Sequence, residues 1–341
     1  MSYFDLVHNS TQVMQGFYSE GELHRVPPNC VIDLQGVRPI PKGFVPVKDF
    51  MRLVGTTKDK SFYISRSFAL GDTLMAVPVV RYCQGLGYKV QMRVADQYLE
   101  MMRRLEVESE SCNSLPPTDT LGIVVDGVVE RDHGNSPLRN YHRVKIYFMV
   151  LGTKQPSVHE LNWDWDPDRF PPNPVTEGNY VVFLGHGANT RKQLPAEAIR
   201  KVCLALNEEG VKVYYTGSPR FDHDERMTVH TGSTWTKSQL FPAIAGARCF
   251  VTMDSGPLWV AHFTKTPVVG ILGPTGGEQH RLAYHPLWPE GVVALRMDKW
   301  AGCDTCFEAT KPCNYTVRCL NSNADRLVEE VVKGVKRFWG V

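Results

Sequence analysis

A chain of 341 residues exceeds the usual size of a single core, and its 43% apolar content is enough for two. Lys and Arg number 38 against 36 Asp and Glu, so no single-sign field marks the whole chain as a binder of nucleic acid or of a membrane surface. The opening MSYFDLVHNSTQVMQ has no basic start followed by an apolar run, and no apolar stretch reaches the roughly 18 residues of a membrane span. The expectation is a soluble, cytoplasmic protein with no transmembrane segment.

In chain order, residues 1–60 are rich in Pro, Gly and short polar turns (RVPPN, RPIPKG) and predict an irregular or hairpin-bearing extension. From Ser61 the pattern changes: FYISRS predicts a buried strand, GD a turn and TLMAVPVVRYCQGL a helix. KVQMRV, ADQYLEMMRRL and TLGIVVDGVVE continue as strand, helix and strand, so residues 61–170 form an α/β domain. Between Gly152 and Gly178 the stretch HELNWDWDPDRFPPNPVTEG follows neither period and is a candidate linker. NYVVFLG, PAEAIRKVCLALNEEG and VKVYYTGS restart the alternation, and CFVTM, PLWVAHFTK and TPVVGIL carry it through a second α/β domain over 171–323. ADRLVEEVVKGVKRFW closes the chain as a helix within 324–341.

Asp254-Ser255-Gly256-Pro257 stands between a predicted strand and helix. Asp or Ser suits a helix N-cap, Pro the first position, and Gly a close approach of ligand to backbone, so the turn offers N–H groups and a positive dipole end to an anion. Taken alone, these four residues favour a capped helix with no ligand. A second loop, Gly273 to Gly277 with Thr275, follows the next strand, and adjacent parallel strand ends open onto one crevice. Lys192 in HGANTRKQLP also follows a strand and suits a diphosphate as a point charge. TGSPRFDHDE contains Gly217 and Glu225, placed to meet a ribose or base. In the first domain Gly71-Asp72 follows the first strand; Asp72 reads as an N-cap or as a carboxylate that accepts a hydroxyl proton.

RSFALGDTLMAVPVVR, IVVDGVVERD, FVTMDSGPLWVAHFTKTPVVGILGPT and the Cys segment together resemble the inverting glycosyltransferases of family 9, the ADP-heptose heptosyltransferases. The resemblance runs from about Ser61 to the C-terminus. It implies a GT-B architecture: two Rossmann-like domains facing a central cleft, the second holding an ADP- or UDP-sugar, and a C-terminal helix crossing back to the first domain. It further implies Asp72 as catalytic base, with no catalytic divalent metal, Lys192 on phosphate, and the Asp254–Pro257 turn on the diphosphate and sugar. Trp259 departs from the family, where His is common, so the ordinary heptose donor is not assumed. The acceptor implied is a glycan such as a lipopolysaccharide core; a modified DNA base and a protein side chain are the alternatives, and a nucleotide-binding protein without transfer is the non-enzymatic one. Arg139 and Arg143, with Tyr141 and His142 between them, suit a phosphorylated acceptor or form a solvated helix face.

Of nine Cys, Cys30, Cys83, Cys112, Cys203 and Cys249 are scattered, as in reduced thiols. Cys303, Cys306, Cys313 and Cys319 crowd together and open with a C-x2-C pair. A structural zinc or iron and a reduced or disulfide-prone loop are the two readings.

Overall fold

A computed structural model describes residues 6–9, 15–19, 22–26, 30–33, 44–47, 49–57, 59–67, 69–117, 119–126, 141–176, 178–187, 192–217, 235–273, 282–303, 318–321 and 323–339. They fall into two compact α/β units, Met1–Arg131 with Arg143–Asn162, and Asp132–His142 with Trp163–Val341. Among the described residues no helix is long and apolar enough to cross a membrane.

The first unit holds β1 (Leu6–Asn9), β2 (Gln15–Ser19), β3 (Glu22–Val26), β4 (Cys30–Asp33), β5 (Phe44–Pro46), β6 (Ser61–Arg66), β7 (Lys89–Val94), β8 (Ser109–Ser111) and β9 (Leu121–Val124). Its helices are α1 (Phe50–Gly55), α2 (Leu70–Gly85), α3 (Asp96–Arg104) and α4 (Arg143–Leu151). Seven strands make one sheet in the order β5-β1-β4-β9-β6-β7-β8. β4, β9, β6, β7 and β8 run parallel, while β1 is antiparallel to both β4 and β5. Residues 1–60, expected as an irregular or hairpin-bearing extension, do contain the hairpin β2–β3, but β1, β4 and β5 also extend the sheet. Central β6 is buried along most of its length, as a parallel strand covered on both faces must be. Gly122 on β9 is opposite Tyr63 on β6, and any Cβ there would overlap the tyrosine ring.

The second unit has a five-stranded parallel sheet in the order β11-β10-β12-β13-β14. These are β10 (Tyr180–Leu184), β11 (Lys212–Tyr215), β12 (Cys249–Met253), β13 (Val268–Leu272) and β14 (Val292–Arg296). The helices are α5 (Ala196–Glu208), α6 (Lys237–Ala245), α7 (Leu258–Thr264), α8 (Met297–Trp300), α9 (Arg318–Asn321) and α10 (Ala324–Trp339). β10, β12 and β13 are buried at every position, which fits their unbroken apolar runs.

The closing helix α10 places its apolar face in the core of the second unit, burying Leu327, Val331 and Val335 against α5 and strands β12 to β14. Their spacing of four puts them on one stripe, each worth about 1.5–3 kcal/mol when buried, and Gly334 lets the helix approach Val269. The stretch taken as a linker is anchored: Trp163 and Phe170 are buried, and Phe170 stacks on Phe241 at 4.5 Å.

Candidate active site at the strand ends of each unit

In the first unit, β6 ends at Arg66 and the parallel neighbour β9 leads into Asp126, so both side chains stand at the same end of the sheet. Arg66 is fully buried and bridges two carboxylates, reaching Asp72 Oδ2 at 2.6 Å and Asp126 Oδ1 at 2.9 Å. Asp126 also accepts from the Ser67 backbone N–H and, at 2.7 Å, from the Ser67 hydroxyl. Asp72 lies in the first turn of α2, and its Oδ1 accepts from Arg143 at 2.6 Å. Tyr147, one turn along α4 from Arg143, donates its hydroxyl to the Asp72 backbone carbonyl. Burial alone would push the Asp72 carboxyl up; Arg143 and then Arg66 outweigh it and hold the group below the ordinary carboxylate value. The turn into α2 carries backbone strain, because Ala69 sits at a φ of 56° without being glycine. Gly71 is buried beside it.

Asp72 is therefore no N-cap: no side-chain cap bond closes the start of α2. Arg143, expected on an exposed acceptor-side stretch, is buried with its guanidinium on Asp72, and His142 packs on Trp259 and Tyr284. The stretch carries a hidden ion pair because α4 begins at Arg143 and turns that side chain inward. Arg139 lies outside the described residues.

In the second unit, Lys192 Nζ donates to Asp254 Oδ2 at 2.9 Å. The contact joins the segment after β10 to the turn after β12, two neighbouring parallel strands. Gly187 makes it possible, since a Cβ there would lie 3.0 Å from Lys192 Cβ and 3.1 Å from the Asp254 carbonyl oxygen. Gly187 N–H in turn donates to Lys192 O at 2.7 Å. At the turn itself α7 starts at Leu258, after a Pro257 N-cap with no side-chain cap bond, so Asp254 and Ser255 do not cap it as expected. Leu258 N–H goes to Ser255 O, and Ser255 Oγ is 3.1 Å from Thr252 Oγ1. Pro257 has no N–H and the Leu258 N–H goes to Ser255 O, so the turn's other amides are those of Ser255 and Gly256.

Gly217 ends β11's segment at a φ of 120°, and a Cβ there would overlap the His186 imidazole. Its lack of a side chain serves that ring. Gly273 also meets packing: a Cβ would stand 2.8 Å from Leu320 Cδ2 and 3.7 Å from Cys319 Sγ, so α9 makes a close approach there. Trp259 is a core residue, ringed by His142, Trp163 and His262. Glu225 and Thr275 lie outside the described residues, as do Cys306 and Cys313. Cys303 is half-buried after α8 and Cys319 is buried on α9, and these two helices pack together. Among the described residues no group of three or more His, Cys, Asp or Glu is arranged to hold a metal.

Arg66, Asp126 and His186 escape a reading by motif. Their signals are an Arg closing an apolar strand, an Asp just past another, and a His between two glycines.

The family model described as glycosyltransferase family 9 (heptosyltransferase) matches residues 139–314. No match was found among curated protein sequences. Among solved structures, the bacterial iron-containing dodecameric glycosyltransferase TibC from enterotoxigenic E. coli H10407 is 15% identical, with 90% of this chain and 81% of that chain covered at a TM-score of 0.61. The dodecameric iron-containing heptosyltransferase TibC in complex with ADP-D-beta-D-heptose is 13% identical, with 98% and 92% covered at 0.61. E. coli heptosyltransferase WaaC with ADP is 17% identical, with 81% and 99% covered at 0.52.

Proposed function

The chain belongs to glycosyltransferase family 9, the heptosyltransferase family, and from that premise we propose that it moves a sugar from a nucleotide-diphosphate donor to an acceptor hydroxyl by inversion at the anomeric carbon. It is a glycosyltransferase of GT-B fold. The observation that supports the donor site is the Lys192–Asp254 pair, a cation and a carboxylate joined at neighbouring strand ends beside the Ser255 and Gly256 amides. A diphosphate entering there shares the Lys192 ammonium with Asp254 and takes the two N–H groups as oriented donors.

In this reading Asp72 accepts the acceptor's hydroxyl proton. The freed oxygen pair forms the new bond to the anomeric carbon as the bond to the β-phosphate oxygen breaks, and the nucleoside diphosphate leaves with that electron pair. Lys192 and the turn amides neutralise the charge that develops on it. Asp72 is a weak base, which suits a hydroxyl whose proton becomes acidic only as its oxygen bonds to carbon. Arg66 and Arg143 keep it ionised for that moment. ADP-linked heptose, the ligand of one TibC structure, is the first donor to test, and a glycan such as a lipopolysaccharide core the first acceptor.

Cys303, Cys306, Cys313 and Cys319 are proposed to hold a structural zinc or iron. Cys303 follows α8 and Cys319 lies on α9, and the packing of these two helices supports the assignment. The ion would brace the segment between α8 and α9 and take no part in transfer.

Mass spectrometry of products from a panel of ADP- and UDP-sugars, offered with glycan, protein and modified-DNA acceptors, tests the proposal. The expected result is one sugar mass added to the glycan with release of nucleoside diphosphate. Addition to DNA or protein instead overturns the acceptor class, and no transfer from any donor overturns the function.

A further inference from the structure

His186 follows β10 and stands on the strip that carries Lys192. An isolated antiparallel bridge pairs it with Gln193, and Gly187 N–H bonds Lys192 O inside that loop, so ring and ammonium share one short stem. The Cε1–Nδ1 edge of the imidazole lies over Gly217, the residue whose missing Cβ leaves it room. Among the described residues Nδ1 is buried without a hydrogen-bond partner, and Nε2 is not one of the buried, unpartnered atoms of this half-buried residue. A buried, unpaired N–H is costlier than a buried, unpaired lone pair, so the proton of the neutral ring belongs on Nε2.

We infer that His186 is a second donor-recognition residue, whose Nε2–H hydrogen-bonds an oxygen of the nucleoside diphosphate that Lys192 neutralises. The inference rests on the donor-site reading above. Four features converge on it: the Lys192–Asp254 pair at the neighbouring strand end, an imidazole seated against Gly217, an Nε2 that is the less buried of its two nitrogens, and the two turn amides. Burial lowers the pKa of the ring below its ordinary value, so it stays neutral at physiological pH and acts as a hydrogen-bond donor that carries no charge. Lys192 supplies charge, and His186 supplies direction. Gly217, read from sequence as a ligand contact, then acts one step removed, as the seat of the ring.

The test uses the full chain, with ADP, UDP and adenosine as calorimetric probes. His186→Phe keeps a flat ring, one ring atom larger, over Gly217 and removes both nitrogen atoms. Its ADP dissociation constant is expected to rise about 10- to 100-fold, the effect of one hydrogen bond to a charged group. Adenosine binding and the thermal midpoint should stay unchanged, and donor KM should rise while kcat holds. Gly217→Ala, which displaces the ring, should weaken ADP binding in the wild-type background and far less in a His186→Ala background. Unchanged ADP affinity in His186→Phe overturns the inference and leaves the donor site standing. An equal loss for adenosine overturns the contact with the diphosphate. A wild-type protein that binds neither ADP nor UDP overturns the donor site and this inference with it.

Discussion

At the end of β6 one carboxylate meets two guanidiniums; at the end of β10 one ammonium meets one carboxylate. Arg66, Asp72 and Arg143 are closed off from water, and both Asp72 oxygens already accept from an arginine. Lys192 is slightly more exposed than Arg143, 15% against 10% of the side chain, and its partner Asp254 sits on the turn that carries the Ser255 and Gly256 amides. Excess cation around a buried carboxylate fixes its charge and position. An ion pair beside a turn with backbone amides lets the cation be shared with an incoming anion. The first cluster holds a carboxylate ionised and in place, and the second offers its cation to an incoming anion.

The largest effect should come from removing the shared guanidinium of the closed cluster. Arg66→Met leaves Asp72 and Asp126 without their common partner in a buried place, and a loss of about 3–5 kcal/mol is expected by denaturant titration. An unchanged midpoint would show that the cluster is not held by its charges. At the Lys192 cluster the loss should appear in binding instead. Lys192→Ala is expected to weaken nucleoside diphosphate affinity about 10- to 150-fold with little change in thermal stability, and calorimetry reads it directly.

A subtler change separates charge from position. Asp72 has a folded-state pKa below its ordinary value, so its ion pairs stabilise the protein above that ordinary value and are lost as pH falls through the folded one. Arg143→Gln leaves burial less opposed and raises the Asp72 pKa. The acid limb of the kcat/KM profile should then move to higher pH; a profile that stays in place would remove Asp72 as the titrating base.

The smallest effect lies away from both clusters. His285 is fully buried, 4.8 Å from the His262 ring, and burial brings its pKa from 6.5 down to about 4. Between those values the unfolded chain binds a proton that the folded chain refuses. Stability should be full above pH 6.5 and fall as pH drops toward about 4, with His262 adding in the same direction. His285→Phe should flatten that slope in thermal melts across the range.

What could be read from sequence follows the same division. Lys192 and the Asp254–Pro257 turn were legible because α/β alternation places every strand's C-terminal end on one edge, so two loops after neighbouring strands must meet. Their ion pair follows from that edge and two residue types. The partners of Asp72 were not legible: Arg66 is six residues away but hidden as one residue of an apolar strand, and Arg143 is 71 residues away in what reads as a basic surface stretch. The early strands β1, β4 and β5 are three or four residues long and pair antiparallel or across distant chain, so no local period announces them. Gly217 and Gly273 were visible as glycines, but the atoms that require them, His186 and Leu320, are fixed only by tertiary packing.

The division of labour between the two clusters is tested most directly by the rate of nucleoside diphosphate release from Asp72→Asn at saturating donor and acceptor. The amide keeps the shape of the carboxylate and removes its capacity to take a proton. Release should fall about 100-fold or more while nucleoside diphosphate affinity at the Lys192 cluster stays at the wild-type value. Release at a near wild-type rate would contradict the role of Asp72 and, with it, the assignment of chemistry to one cluster and donor binding to the other.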